Sequence, residues 1–351
     1  MMLYRCRVSI GSNTTEAHPQ IARRMFDAID GGAKLIVIDP RVTMFAQFAD
    51  MHLPITPGTD VVLLNSLMYV ILDEGLVVTE NVIELVQQPV ALIGISEKGL
   101  LNLELNLEQE GGHASMPGRT SAVGQMSKAL HLLEDNPMPA RLSYPVSSML
   151  SRLAGEANTM NRVVLSNLWL FQSFVINKFQ LSPATHAAVN TTMVATQLSA
   201  STKINVLPTT VTANLNIRIL PGDSIESVRR YVKETIKNPQ IKLRVVDGAF
   251  EPASVSVIDD EAYQQIEKSI LQVYPDALVA PGLVLAATDS RHYQDLTTRI
   301  YRFMPLRLSK RDLSRIHGVN ERILIQDYHA AIRFYRQLLM NLALNRATGT
   351  R

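Results

Sequence analysis

The sequence of 351 residues contains a single cysteine, Cys6, which excludes an internal disulfide framework, a cysteine-based zinc knuckle and an iron–sulfur cluster held within the chain. It has no dense block of one charge sign: 34 Lys and Arg against 32 Asp and Glu leave a formal charge of +2. Nucleic acid and acidic membranes are therefore not expected as partners. Long hydrophobic runs are scarce as well. The most apolar window, VVLLNSLMYVIL at 61–72, is too short and too interrupted to span a bilayer. The opening MMLYRCRVSIG has neither the apolar run nor the flanks of a signal peptide, so a cytoplasmic location is the default expectation.

What is present is ordinary globular composition, 46% apolar and 19% charged, in a chain long enough for two domains. RVSI, a helical stretch TTEAHPQIARRMFDAIDGG and KLIVID read as strand, helix and strand, a βαβ unit with a parallel strand pair. The following PRVTMFAQFADMHLPITPGTD is turn-rich, and in VVLLNSLMYVILDEGLVV the period decides between neither helix nor strand. From Leu101 the pattern alternates: Leu101, Leu103, Leu105 and Leu107 share one face and Asn102, Glu104, Asn106 and Glu108 the other. TSAVGQMSKALHLLED is helical by spacing, and TTMVATQLSAS and TANLNIRIL alternate again. PGDSIESVRRYVKETIK is expected to start a helix with Asp223 as N-cap and Glu226 completing a capping box, before a last strand IKLRVVDG. The order β-α-β-β-α-β predicts a ferredoxin-like α+β module, interrupted by a helical insert at about 136–188. The last third predicts a helix at DEAYQQIEKSILQVYP, strands at LVLAA and IYRFMPL, and a long amphipathic C-terminal helix.

Three stretches stand out chemically: EGGHASMPG at 110–118, TDSRHY at 288–293 and IHGVNERI at 316–323. His113, between glycines and small residues, is either a packed loop residue or a group aimed outside its own domain. Arg218, on the polar face of a strand, is either a solvated charge or an anion reader. Thr288, Asp289 and His292 shape a site or support the structure.

With NVLP at 205–208 and NIRILPGDS at 216–224, these motifs resemble the aminoacylase and carboxypeptidase S family of zinc-dependent exopeptidases over about residues 71–344. The resemblance implies an α/β sheet domain, incomplete here, at 71–96 and 252–351, with the ferredoxin-like lid and dimerisation domain inserted at 97–251. It implies that Asp73 in ILDEG and His317 in HGVNE are metal ligands, each on a different zinc ion. His113 matches the lid histidine that crosses the dimer to polarise the scissile carbonyl. Asn205 and Arg218 match groups holding the free carboxylate of the substrate. The implied reaction is hydrolysis of a peptide or N-acyl amino acid by a homodimer. Yet the sequence has no H-x-D pair and no Glu-Glu pair, elements that the family's dinuclear site requires. One protein ligand per ion falls short of the usual three or more, and the general base is absent. Hydrolysis is expected to be impaired, and zinc weakly held or not held.

The first 70 or so residues resemble a different family. GSNTTEAHP, GAKLIVIDPR and ADMHLPITPGTD look like a fragment of molybdopterin oxidoreductases of the formate dehydrogenase type. In that resemblance Asn13, Asp39, Arg41 and Asp60 match positions contacting the guanine dinucleotide, as a loop after a parallel strand suits a nucleotide phosphate. The rest of that large fold is missing, so the fragment is not expected to bind molybdopterin guanine dinucleotide. The chain reads as a chimera joined within about 61–78. Three functions follow: an impaired metallohydrolase, a non-catalytic dimerising module, or an oxidoreductase fragment.

Overall fold

A computed structural model describes residues 6–10, 19–39, 41–53, 71–313, 315–316 and 318–348. Contacts divide the chain into two units, Met1–Tyr69 and Val70–Arg351.

In the first unit, strands β1 (Cys6–Ile10), β2 (Lys34–Ile38) and β3 (Met51–Leu53) form a parallel sheet in that order, with the helix Pro19–Asp30 crossing between β1 and β2. The stretch read as turn-rich contains the short helix Met44–Gln47 and β3. Its apolar residues are too few to show a period, and tertiary contacts decide: Ala46 packs with Leu35, Val37, Met25 and Phe26 in a small core.

The second unit holds two four-stranded sheets. Strands β4 (Ile71–Glu80), β5 (Val90–Glu97), β12 (Leu278–Val284) and β13 (Ile300–Ser309) make a mixed sheet in the order β12-β5-β13-β4. β12 runs parallel to β5 and β13 parallel to β4, while β4 meets β5 antiparallel. The ambiguous apolar stretch thus ends in a strand from Ile71 onward. Alternation puts Ala91, Ile93, Ile95 and Val279 on one face, under the helices Glu261–Val273 and Ile325–Thr348, which bring Ile266, Ile270 and Phe334 into the core. Val90 and Ala280, on the opposite face, pack with Leu153 of the helix Tyr144–Ala154. Part of the helical insert therefore serves this sheet.

The strand expected at LVLAA lies upstream, at LVAPGLV. Pro281 and Gly282 within it read as breakers, but β12 is an edge strand and tolerates a proline. A side chain at Gly282 would meet Leu76 at 2.6 Å, so the glycine permits close approach.

The second sheet is antiparallel, in the order β11-β6-β10-β8, from β6 (Gly99–Glu108), β8 (Thr192–Ser199), β10 (Thr210–Ile219) and β11 (Lys242–Val245). Its odd-numbered leucines Leu101 to Leu107 and the residues Val211, Ala213, Leu215, Ile217 and Ile219 are buried against the helices Ala122–Asp135 and Ile225–Ile236. The other face is polar: Asn216 donates to Asn102 at 2.8 Å, and Arg244 grips Glu104 through two bonds of 2.9 Å. This is the ferredoxin-like layer that the alternation predicted. A two-stranded ribbon of β7 (Gly112–His113) and β9 (Val206–Leu207) extends from it.

The helix at 225–236 is capped by Ser224, not Asp223. Ser224 Oγ accepts from Ser227 N at 3.1 Å, and Ser227 Oγ accepts from Ser224 N at 2.9 Å. Asp223 is taken by an ion pair with Arg141 at 3.0 Å and a short hydrogen bond from Thr191, and Glu226 pairs with Arg229.

Candidate active site

The expected site residues fall into separate places. His113 is exposed on the β7–β9 ribbon, where Val206 is its strand partner and the Asn205 carbonyl accepts from Ala114 N at 3.1 Å. The ribbon thus brings His113 and Asn205 together. Ser115 N donates to His113 Nδ1 at 3.2 Å, and Ser115 Oγ lies 2.7 Å from the same nitrogen. In the neutral ring this leaves the proton on Nε2, which can then donate.

Arg218 is at the opposite end of β10. Thr210 and Arg218 stand eight steps apart along the extended strand, roughly 27 Å at about 3.4 Å per step. His113 and Arg218 of one chain therefore cannot grip one small molecule. Arg218 lines a cleft of about 910 Å³ between the two sheets, with Phe250, Ala287, Arg291 and His292. Arg291 is positioned by its stacking over Phe250, 5.1 Å from the ring centre, and by donating to the Thr288 carbonyl at 3.3 Å. Nothing local in TDSRHY marks Arg291; the tertiary fold brings its guanidinium to the same cleft as Arg218.

Below the cleft is a buried charge cluster. Glu97, at the end of β5, and Arg302, on β13, are both fully buried and lie 3.5 Å apart. Glu97 Oε2 also accepts from Thr288 N at 3.0 Å and Thr288 Oγ1 at 2.9 Å, and Arg302 Nε donates to Ser290 at 2.8 Å. Thr288 is thereby structural, capping the 3₁₀ turn Asp289–Tyr293. Asp73 pairs in register with Arg302 across β4 and β13. Burial pulls the Arg302 guanidinium below its ordinary range, and the Glu97 and Asp73 carboxylates act against that pull. Asp73 Oδ2 and Glu97 Oε1 are buried without a hydrogen-bond partner.

These orphaned oxygens would suit a cation, and the Arg302 guanidinium already faces both carboxylates. Among the described residues no three His, Cys, Asp or Glu side chains converge as metal ligands. His317 lies outside the described residues. The described residues therefore do not fit a dinuclear zinc centre.

In the first unit, Asp39 and Arg41 satisfy each other: Arg41 N and Nε donate to Asp39 Oδ1 at 2.9 and 3.1 Å, and this pairing holds the Asp39 carboxyl below its usual range. Asn13 and Asp60 lie outside the described residues.

Over most of its length the chain is similar to proteins of one family. Residues 95–244 match the M20 peptidase dimerisation domain, which encompasses the ferredoxin-like sheet. The chain is 38% identical over 278 residues to the N-fatty-acyl-amino acid synthase/hydrolase PM20D1.1 of Danio rerio, covering 78% of this chain and 54% of the relative. It is 37% identical to the probable carboxypeptidase S-like 2 of Dictyostelium discoideum, over 77% of this chain and 52% of the relative. A further 72-residue stretch, close to the first unit in size, is 54% identical to the F420-dependent formate dehydrogenase subunit alpha of Methanocaldococcus jannaschii, over 20% of this chain and 11% of that protein. On the match to the dimerisation domain and on these relatives, the chain belongs to the M20 family over most of its length. It spans about half the length of the curated relatives that it matches there.

Proposed function

We propose that the second unit is the substrate-reading and lid part of an M20 amidohydrolase acting on peptides or N-acyl amino acids with a free carboxylate. The observation that carries this reading is the cleft holding both Arg218 and Arg291, two guanidiniums suited to a carboxylate. Replacing Arg218 by alanine is expected to weaken binding of an N-acyl amino acid about ten- to hundredfold, the usual worth of a charged hydrogen-bond pair. Titration calorimetry checks it, with the amide-capped analogue as control. Equal affinity for the acid and its amide would remove the carboxylate role.

His113 acts in this reading from a second copy, its Nε2–H offered to a carbonyl oxygen bound by the partner. The free edge of the ferredoxin-like sheet, β8, exposes Val194 and Leu198 beside unpaired backbone groups and is where two copies would join. The double substitution Val194→Lys, Leu198→Lys is expected to convert a dimer into a monomer by light scattering without loss of helical circular dichroism. A dimer that survives would place the interface elsewhere.

The same reading holds the isolated chain impaired in turnover, because one carboxylate, Asp73, and one histidine, His317, are left where a family member assembles two full ligand sets. Zinc analysis of the purified chain is expected to give less than one ion per chain, and an N-acyl amino acid amidase assay no turnover above buffer. Two tightly held ions with turnover would overturn that reading. A second reading, a non-catalytic dimerising module, draws on the same β8 edge; retention of the dimer with no binding of N-acyl amino acids would favour it. The formate dehydrogenase-like unit carries no cofactor role in either, and we read the two units as a chimera.

A further inference from the structure

Helices Thr159–Ser166 and Leu168–Phe179 follow one another in the insert and use only part of their apolar surface. Leu165 and Val175 are buried with Val189 in a core shared with Val146 and Leu150. Outside that core, Met160, Val163, Trp169, Leu170, Phe174 and Leu181 are exposed, Trp169 by 80%. A helix that is apolar around its circumference is ordinarily covered by protein or lipid. An exposed tryptophan beside phenylalanine and leucine is the composition of a membrane-interface helix.

Charge decides between the possible covers. No aspartate or glutamate occurs between Glu156 and Asp223, while Arg162 and Lys178 lie within these helices. Lys178 Nζ sits 5.9 Å from the Phe174 ring centre and so borders the apolar residues, while Arg162, on the preceding helix, donates to the Gly155 carbonyl at 2.6 Å. A two-fold contact with a second copy would bring like charges onto the same patch, with no carboxylate in the segment to meet them. An anionic phospholipid surface meets both demands, taking the apolar side chains below its headgroups and the cations among them.

We infer that this exposed face is a peripheral docking site for an anionic phospholipid bilayer. It departs from the expectation drawn from overall charge, which averages over a local, acid-free segment. It is independent of the amidohydrolase reading, since neither Arg218 nor His113 takes part.

Trp169 is the chain's only tryptophan, so its fluorescence reports on this face alone. Titrating the full chain with phosphatidylcholine vesicles containing phosphatidylserine is expected to shift its emission to the blue and make it accessible to brominated acyl chains. Partition onto these vesicles is expected to be roughly tenfold or more stronger than onto pure phosphatidylcholine, from the two nearby cations. Leu170→Glu with Phe174→Glu is expected to abolish the shift, and Arg162→Glu with Lys178→Glu to abolish the preference for anionic lipid while leaving Trp169 in place. Unchanged emission with both kinds of vesicle overturns the inference. So does emission that is already blue without lipid and moves red on dilution together with loss of a dimer, which would assign the face to a second copy.

Discussion

Replacing Arg302 by methionine is expected to destabilise the chain by about 3–5 kcal/mol, the range for breaking a buried ion pair from one side. The guanidinium pairs with Glu97 and stands opposite Asp73 in register, and its removal leaves buried Glu97 and half-buried Asp73 each with an unpartnered carboxylate oxygen. Methionine keeps most of the volume, so the loss reflects charge and hydrogen bonding more than a cavity. Glu97→Gln in the Arg302→Met background is expected to recover part of the stability. Urea denaturation of the four members of this double-mutant cycle gives the coupling directly. Additive single effects would show that Arg302 and Glu97 do not act as a pair.

The second large effect is a pH dependence set by Lys98. This residue is the only link between β5 and β6, which belong to different sheets, and its fully buried ammonium donates to the carbonyls of Ala187 at 3.0 Å and Asn190 at 2.7 Å. Burial pulls its pKa down to about 8 from 10.5, Arg218 pushes the same way, and Asp223 opposes them. The folded value lies below the unfolded one, so between them the unfolded chain holds more protons and stability rises with pH. Below pH 8 both states are protonated, and the unfavourable contribution is complete and constant.

At about 1.4 kcal/mol per pH unit, stability is expected to rise by about 2 kcal/mol from pH 8 to 9.5. Higher still, buried tyrosines act in the opposite sense: burial pushes Tyr274 up to about 12 and also raises Tyr263 and Tyr301. Their folded values exceed the unfolded ones, so stability falls again as the unfolded phenols ionise above about pH 10. Lys98→Met is expected to lose the rise between pH 8 and 9.5 and keep the later fall. An unchanged rise in that variant would assign it to another group.

Much of the second unit was readable because its patterns are local. The leucines of LNLELNLE can satisfy a strand only by facing one side, and all four are buried in β6. Local chemistry misleads where two residues compete for one role. Asp223 and Ser224 can each cap a helix, and the choice falls to Ser224 because Arg141 and Thr191, distant in sequence, engage Asp223. Glu97 and Lys98 left a fainter signal, two adjacent charges after the apolar run VALIGIS. Their burial on opposite errands, toward Arg302 and toward the Ala187 and Asn190 carbonyls, depends on segments some 90 to 200 residues away.

Periodicity and short motifs are properties of neighbouring residues, so the ferredoxin-like layer, the family motifs and the absence of H-x-D and Glu-Glu can all be read from the chain alone. Folding in three dimensions puts His113 and Asn205 on one ribbon far from Arg218, joins Arg291 to Arg218 in one cleft, and turns Arg302 toward the carboxylates of Asp73 and Glu97. Those relations are distances between strands and loops remote in the chain, and they exist only once the sheets have paired.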